Sequence, residues 1–214
     1  MKKLILALGT VICMMAVSAK PIDQAKLSLN KNNIKVWTYQ DDKNPVFLYK
    51  AETTFDVPIE HAASLVLDVD HAVKWVPYMG SVQVLNRNDQ TGDFTLYMVL
   101  DFPFPLKDRD LIVQGKFYKD SKGNIIIKNK AVAKGYPINP DYVRLTRYEG
   151  DWSFQKINEN KVKVSTYGYA HPEGSIPLTF VNMFVQQQPY QMLQKMKKQL
   201  SIQTKFEPLP DVLR

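Results

Sequence analysis

The chain has 214 residues, 45% of them hydrophobic and 23% charged, with a formal net charge of +7. That is an ordinary globular composition, with length for one domain and a sizeable core. Acidic and basic residues interleave along most of the sequence, so the excess reads as a solvated surface with a weak bias toward anionic membranes.

Residues 1–19 read as a secretory leader. Lys2 and Lys3 form its charged start, 4–17 its apolar run, and Val17-Ser18-Ala19 a small-residue cleavage site before Lys20. The run is shorter than the about 20 residues a membrane span needs. Cys13, the only cysteine, lies inside this leader behind Ile12, not behind the small residue of a lipoprotein signal. A mature chain from Lys20 would hold no disulfide, no Cys–metal site and no thiol nucleophile. The expected location is the bacterial periplasm or exterior, which argues against nucleic-acid or ATP-driven work.

Residues 21–29 read as a short helix or a loose lead-in. Over 33–40 (NIKVWTYQ), Ile34, Val36 and Thr38 alternate with Lys35, Trp37 and Tyr39, a strand pattern. A turn at 41–45 leads to a second strand over 46–55. Asp56 as a cap and Pro58 in the first turn start a helix over 58–67, followed by a shorter one over 70–75. Further strands are expected at 81–86, 93–102, 109–118, 124–133, 142–155 and 161–170. The stretch Phe102-Pro103-Phe104-Pro105-Leu106 interrupts them, since two prolines cannot both donate to a ladder.

The longest pattern runs over 174–203. Pro177 suits a first helical turn, and Leu178, Val181, Val185, Met192, Met196 and Leu200 recur at roughly 3.6 residues. Phe180, Met183 and Phe184 widen that apolar face, and Pro189 should bend the helix. Core packing and a ligand lid both fit this spacing. A proline-containing tail over 206–214 is expected to be poorly ordered. The expected divisions are a leader at 1–19, one domain at 20–203 and a tail at 204–214. The expected class is α+β: a curved antiparallel sheet of seven to eight strands, two short helices after the second strand, and one long C-terminal helix across the concave side.

No GxSxG elbow, P-loop or GxGxxG occurs, and His61, His71 and His171 lack metal-ligand spacing. No metal, cofactor or catalytic residue is expected from these patterns.

Several stretches together resemble the START (steroidogenic acute regulatory protein-related lipid-transfer) domain family of the helix-grip superfamily. They are Asn33-Ile34-Lys35-Val36, Trp75-Val76-Pro77 before Val82-Gln83-Val84-Leu85, and Pro105-Leu106-Lys107-Asp108-Arg109-Asp110. Trp152 in its strand and Gly174-Ser175-Ile176-Pro177 with Val181-Asn182 and Pro189 complete the pattern. The resemblance implies a non-enzymatic carrier whose apolar tunnel, between sheet and C-terminal helix, holds one lipid or similar hydrophobic molecule. It also implies a monomer that meets an anionic membrane transiently and takes no cofactor or nucleic acid. A cyclase- or hydrolase-like enzyme using the same cavity is the alternative.

On that resemblance Arg109 is the leading site residue, inward-facing and paired with Asp101, either orienting a ligand's polar end or merely joining two strands. Tyr97, Tyr167 and Tyr169 are candidate ligand contacts, while Trp152 reads as core. Phe180, Met183, Phe184, Met192 and Met196 would form the helix wall, and Phe102, Phe104 and Leu106 a gate or membrane contact.

Overall fold

The computed structural model describes residues 25–40, 46–174 and 176–214. The expected leader and the turn at 41–45 lie outside the described residues. Ten strands are present among them: β1 (Lys26–Lys31), β2 (Ile34–Tyr39), β3 (Leu48–Phe55), β4 (Met79–Arg87), β5 (Asp93–Leu100), β6 (Arg109–Lys119), β7 (Ile125–Val132), β8 (Val143–Arg144), β9 (Tyr148–Asn158) and β10 (Lys161–Ala170). They form one sheet in the order β1-β2-β3-β10-β9-β7-β6-β5-β4, antiparallel along this path, with β8 paired to β6 in parallel. Helix α1 (Ile59–Leu67) and a 3-10 helix (Val69–Lys74) follow β3, and the 25-residue α2 (Leu178–Ile202) follows β10. The α+β class, the curved antiparallel sheet and the long terminal helix are as the sequence indicates.

The count differs from seven or eight for two local reasons. Residues 26–31 are a strand, not a helix or a loose lead-in, because Asn32 and Asn33 (φ 53° and 62°) close a hairpin that lays β1 on β2. Asparagine tolerates this left-handed geometry, and two consecutive positive-φ residues match the strand twist. The single strand expected over 142–155 is two. Leu145 turns inward and is fully buried, separating β8 from β9.

The tail is a correction. Phe206 stacks on the His61 ring at 4.2 Å, the Ser64 hydroxyl donates to the Glu207 carbonyl (2.6 Å), and Leu209 and Leu213 are buried in the main core. A short 3-10 turn (Asp211–Leu213) is fastened by the Val212 N–H donating to the Asp89 carbonyl. Apolar residues spaced among prolines gave no periodicity to read, yet they plug the end of the fold beside α1. His61 is half-covered by this contact.

Pro189 divides α2. Beyond it Leu193 and Met196 are fully buried and the helix seats against β2 and β3. Before it Leu178, Phe180 and Met183 are exposed, Phe180 by 56%. The Asn182 side chain ties this first half down by accepting from the Phe47 N–H (3.1 Å). Pro189 cannot donate to the Val185 carbonyl, so the helix ladder is broken where its two halves take up different work. No helix among the described residues is long and apolar enough to cross a membrane.

If the tail belongs to the core, Leu213→Ala should lower unfolding free energy by about 2–5 kcal/mol. A urea midpoint within error of the parent would show that the tail only lies on the surface.

Candidate functional site: an apolar cavity under the first half of α2

A cavity of about 540 Å³ opens between the concave sheet face and the first half of α2. Strand alternation supplies its floor: Thr166 of β10, Trp152 of β9, Ile127 of β7, Val113 and Phe117 of β6, and Phe94, Leu96 and Met98 of β5. The 3-10 helix and the turn after it add Val69, Ala72 and Trp75, and α2 contributes Phe180, Val181, Phe184, Val185 and Met192. The Phe102–Leu106 stretch forms part of the rim, with Phe104 96% exposed. Trp75 meets Trp152 edge-to-face at 6.3 Å, so two indoles shape one wall.

Of the residues singled out from sequence, Asp101, Tyr169, Phe180, Phe184, Met192, Phe102, Phe104 and Leu106 line this space, as does Trp152, expected as core. Five do not. Tyr97 faces the opposite side of the sheet, where it stacks on Tyr136 at 4.0 Å within a second, smaller apolar cluster with Val99 and Ile112. Tyr167 sits one residue out of phase with Thr166 and stacks on Tyr39 at 6.1 Å. A one-residue step along a strand changes the face, and the register was not legible. Met196 is wholly inside the core beyond Pro189, and Met183 is 51% exposed on the outer side of α2.

Arg109 is inward-facing and only 3% exposed, but it is not part of the lining and Asp101 is not its partner. Its Nε donates to the Pro172 carbonyl (3.2 Å), Nη1 to the Lys107 carbonyl and Nη2, more loosely, to the Glu173 carbonyl (3.5 Å). The guanidinium lies under the Phe102 ring, 4.4 Å from its centroid. Burial lowers its pKa and neighbouring Asp108 opposes this; an arginine remains a cation across the physiological range. Its fork therefore joins the 102–107 stretch to the segment entering α2. Phe102 packs in turn on Phe184 (6.2 Å), and Phe184 on Tyr78 (5.4 Å).

The buried ion pair lies elsewhere. Asp110, 1% exposed, accepts from Arg144 Nε (2.9 Å) and Nη2 (2.8 Å) and from the Tyr97 hydroxyl (3.0 Å). It sits on the face away from the cavity, in register with Arg144 across β6 and β8. Burial first, and this carboxylate second, push the Tyr97 phenol up to about 12. Near the start of α2, Arg147 donates to both carboxylate oxygens of Glu173 at 3.0 Å and holds that carboxyl below its ordinary range.

Sequence reading passed over the polar part of the floor: Tyr49, Asn129, Tyr148 and Gly150. One signal was present. Ile125, Ile127 and Asn129 alternate on one face of a strand, so an amide stands where an aliphatic is due. Burial pushes the Tyr49 phenol up to about 12, with Thr166 partly opposing, and raises the Tyr148 phenol as well, so both stay neutral. Among the described residues no group of three or more His, Cys, Asp or Glu side chains could hold a metal ion.

Known proteins resemble this chain in family and fold. The family model described as "START domain" matches residues 25–205. The chain is 23% identical over 172 residues to the Pseudomonas aeruginosa protein PA1579, covering 80% of this chain and 84% of that one. It is 22% identical over 162 residues to the bovine phosphatidylcholine transfer protein, covering 73% and 75%. The crystal structure of a STAR-related lipid transfer protein fragment from Xanthomonas axonopodis superposes with a TM-score of 0.76 at 22% identity, covering 83% of this chain and 98% of that one, which shows a shared fold.

Two outcomes test the electrostatics. Arg109→Lys keeps the charge but not the fork, and should cost about 1–3 kcal/mol in urea unfolding; an unchanged midpoint would mean the three carbonyls do not need it. The Glu173–Arg147 pair stabilises fully above the ordinary Glu pKa of 4.5, and that stability is lost as pH falls through the lowered folded value. Glu173→Gln should therefore lose less stability than the parent on acidification from about pH 6 to about pH 3.

Proposed function

The chain belongs to the START domain family, and from that premise we propose that it is a non-enzymatic carrier that binds a lipid or similar hydrophobic molecule in the cavity beneath α2. The apolar cavity of about 540 Å³ carries this reading. That volume falls within the roughly 300–1,000 Å³ of small-molecule sites. At about 25 cal/mol per Å² of apolar surface removed from water, burying a hydrocarbon chain dominates the binding energy. The neutral floor supports holding over chemistry, because acid–base work needs ionisable groups tuned near the working pH.

Transfer needs a way in. The exposed apolar side chains Phe104, Leu178, Phe180 and Met183 gather on the rim stretch and the first half of α2, the elements that cover the cavity. In this reading they meet the membrane surface, and the half-helix before Pro189 swings on the break in its ladder to admit the ligand. In this reading the carrier is a monomer, and residues 1–19, read as a secretory leader, support a location in the periplasm or outside the cell; mature protein recovered from its host should then begin at Lys20.

Three results are expected. Native mass spectrometry of protein purified from its host, followed by lipid extraction, should yield one hydrophobic molecule per chain. Val185→Trp, which fills the cavity from α2, should abolish that recovery with the fold intact by circular dichroism. Phe104→Asp should leave binding unchanged but slow transfer between anionic vesicles by about tenfold, the equivalent of about 1.4 kcal/mol. A chain that is always empty, or turnover of an extracted lipid by the pure protein, would replace this reading.

A further inference from the structure

One end of the sheet gathers exposed apolar side chains that the packed core does not use. Register fixes which segments meet there: Met79 pairs with Leu100, Leu100 with Arg109, Arg109 with Val143, and Ala170 with Tyr148. The loops leaving these pairs carry Tyr78, Phe104 and Ile138, and the first half of α2 carries Leu178, Phe180 and Met183, all exposed. A single exposed apolar residue needs no explanation, but several on adjoining loops mark an interaction surface.

Ile138 is the member that cavity lining does not account for. It is 78% exposed, is not part of the lining, and belongs to the loop over the outer face of the sheet. That loop is firmly held. Tyr136 stacks on Tyr97 and its hydroxyl donates to Gln83 Oε1 (3.0 Å), while Arg144 Nη2 donates to the Pro137 carbonyl (2.8 Å). Two further bonds join it to the 102–107 stretch and its continuation: Lys107 Nζ donates to the Pro140 carbonyl (3.2 Å), and the Val143 N–H to the Asp108 carbonyl (2.9 Å). Phe104 and Ile138 each lie five residues before their member of the parallel Arg109–Val143 pair. Neighbouring segments running in the same direction therefore carry the two apolar tips.

Charge decides what this face fits. The chain is +7 overall, yet the stretch from Gly174 to Gln194 contains no Asp, Glu, Lys or Arg. The basic residues of α2, Lys195, Lys197 and Lys198, come only beyond Pro189. In the other segments at this end, 75–80, 101–110, 133–147 and 171–173, Lys107, Arg109, Lys134 and Arg147 are matched in number by Asp101, Asp108, Asp141 and Glu173, and Arg144 by Asp110. Among the described residues the face thus has no formal net charge. Anionic bilayers attract proteins through clusters of Lys and Arg, and interfacial helices that exploit them carry such residues on the polar face. The half-helix here offers Thr179, Asn182 and three glutamines instead. The rim of the cavity lies at this same end, where a hydrophobic cargo would pass between bilayer and protein.

We propose that this end of the molecule docks on the surface of a zwitterionic phospholipid bilayer, with Ile138 of the outer loop as an anchor beside Phe104, Phe180 and Met183, and that apolar insertion, not charge, holds it there. This rests on the carrier reading and specifies the surface it serves.

The test is co-sedimentation of the full chain with vesicles of dioleoylphosphatidylcholine, alone and mixed with dioleoylphosphatidylglycerol. Binding to the two should agree within about twofold. Raising the ionic strength from about 0.01 M to about 1 M, which shortens the screening length from about 30 Å to about 3 Å, should change it by no more than that. Ile138→Ser and Met183→Ser should each weaken partition about fivefold, the equivalent of about 1 kcal/mol. Neither residue lines the cavity, so the cargo recovered by native mass spectrometry should be unchanged, and both exposed sites should leave the thermal midpoint with the parent. Ile157→Ser, at an exposed residue near the opposite end of β9, should have no effect on partition. Binding that requires dioleoylphosphatidylglycerol and collapses in salt overturns the proposal in favour of an electrostatic contact. Partition untouched by Ile138→Ser, or lowered as much by Ile157→Ser, overturns the assignment of this face. A dimer in solution that Ile138→Ser dissociates gives the face to a second copy instead. A chain that binds no vesicle yet carries one hydrophobic molecule removes the docking surface and leaves the carrier standing, whereas a chain that binds vesicles but is always empty removes the carrier alone.

Discussion

Leu193 and Met196 hold α2 against β2 and β3, and the rest of the architecture depends on that contact. A helix of 25 residues is about 37 Å long. Only the part beyond Pro189 is seated by fully buried side chains. The part before it is carried out over the open half of the concave sheet, fastened at Asn182 and roofing a space that no side chain among the described residues fills. A fold that packed both halves equally would have no cavity. The hollow is thus a consequence of where the anchoring residues stop, with the proline marking the change.

The rim is organised by a second constraint, a buried guanidinium. Arg109 lies at the start of β6 on the cavity face, and its burial would be untenable without acceptors. Main-chain carbonyls from two separate stretches supply them. A carbonyl is neutral, so the arginine keeps its charge while binding together two stretches far apart in sequence. Phe102 lies over the fork and Phe184 against Phe102, linking the arginine to the first half of α2 through two aromatic contacts. Asp110, a carboxylate buried with an arginine, serves the opposite face, where Arg144 and Tyr97 pin β8 and the loop before it to the sheet. The buried ion pair therefore lies outside the hollow, whose floor carries the neutral side chains of Tyr49, Asn129 and Tyr148.

This separation favours holding a molecule over transforming it. A site that moves protons or stabilises developing charge needs groups whose ionisation is poised, and burial drives the floor's tyrosines away from that condition.

Much of this was legible in the chain itself. Alternation over 33–40, 93–100 and 161–170, the Pro58 helix start and the helical stripe from Leu178 to Leu200 are local patterns, set by backbone geometry whatever the rest of the chain does. The dispersed motifs, including Val181-Asn182 and Pro189, were enough to indicate the family. What stayed hidden depended on distance. Whether Tyr97 and Tyr167 face the cavity hangs on strand register and face, and Arg109's true acceptors lie 63 and 64 residues away as well as beside it. The tail's place in the core and the orphaned Nε1 of Trp75 exist only once remote segments are side by side. Sequence periodicity sets which face of an element is greasy; only the packed chain decides what that face meets, because burial and hydrogen-bond satisfaction belong to pairs of residues and not to single positions.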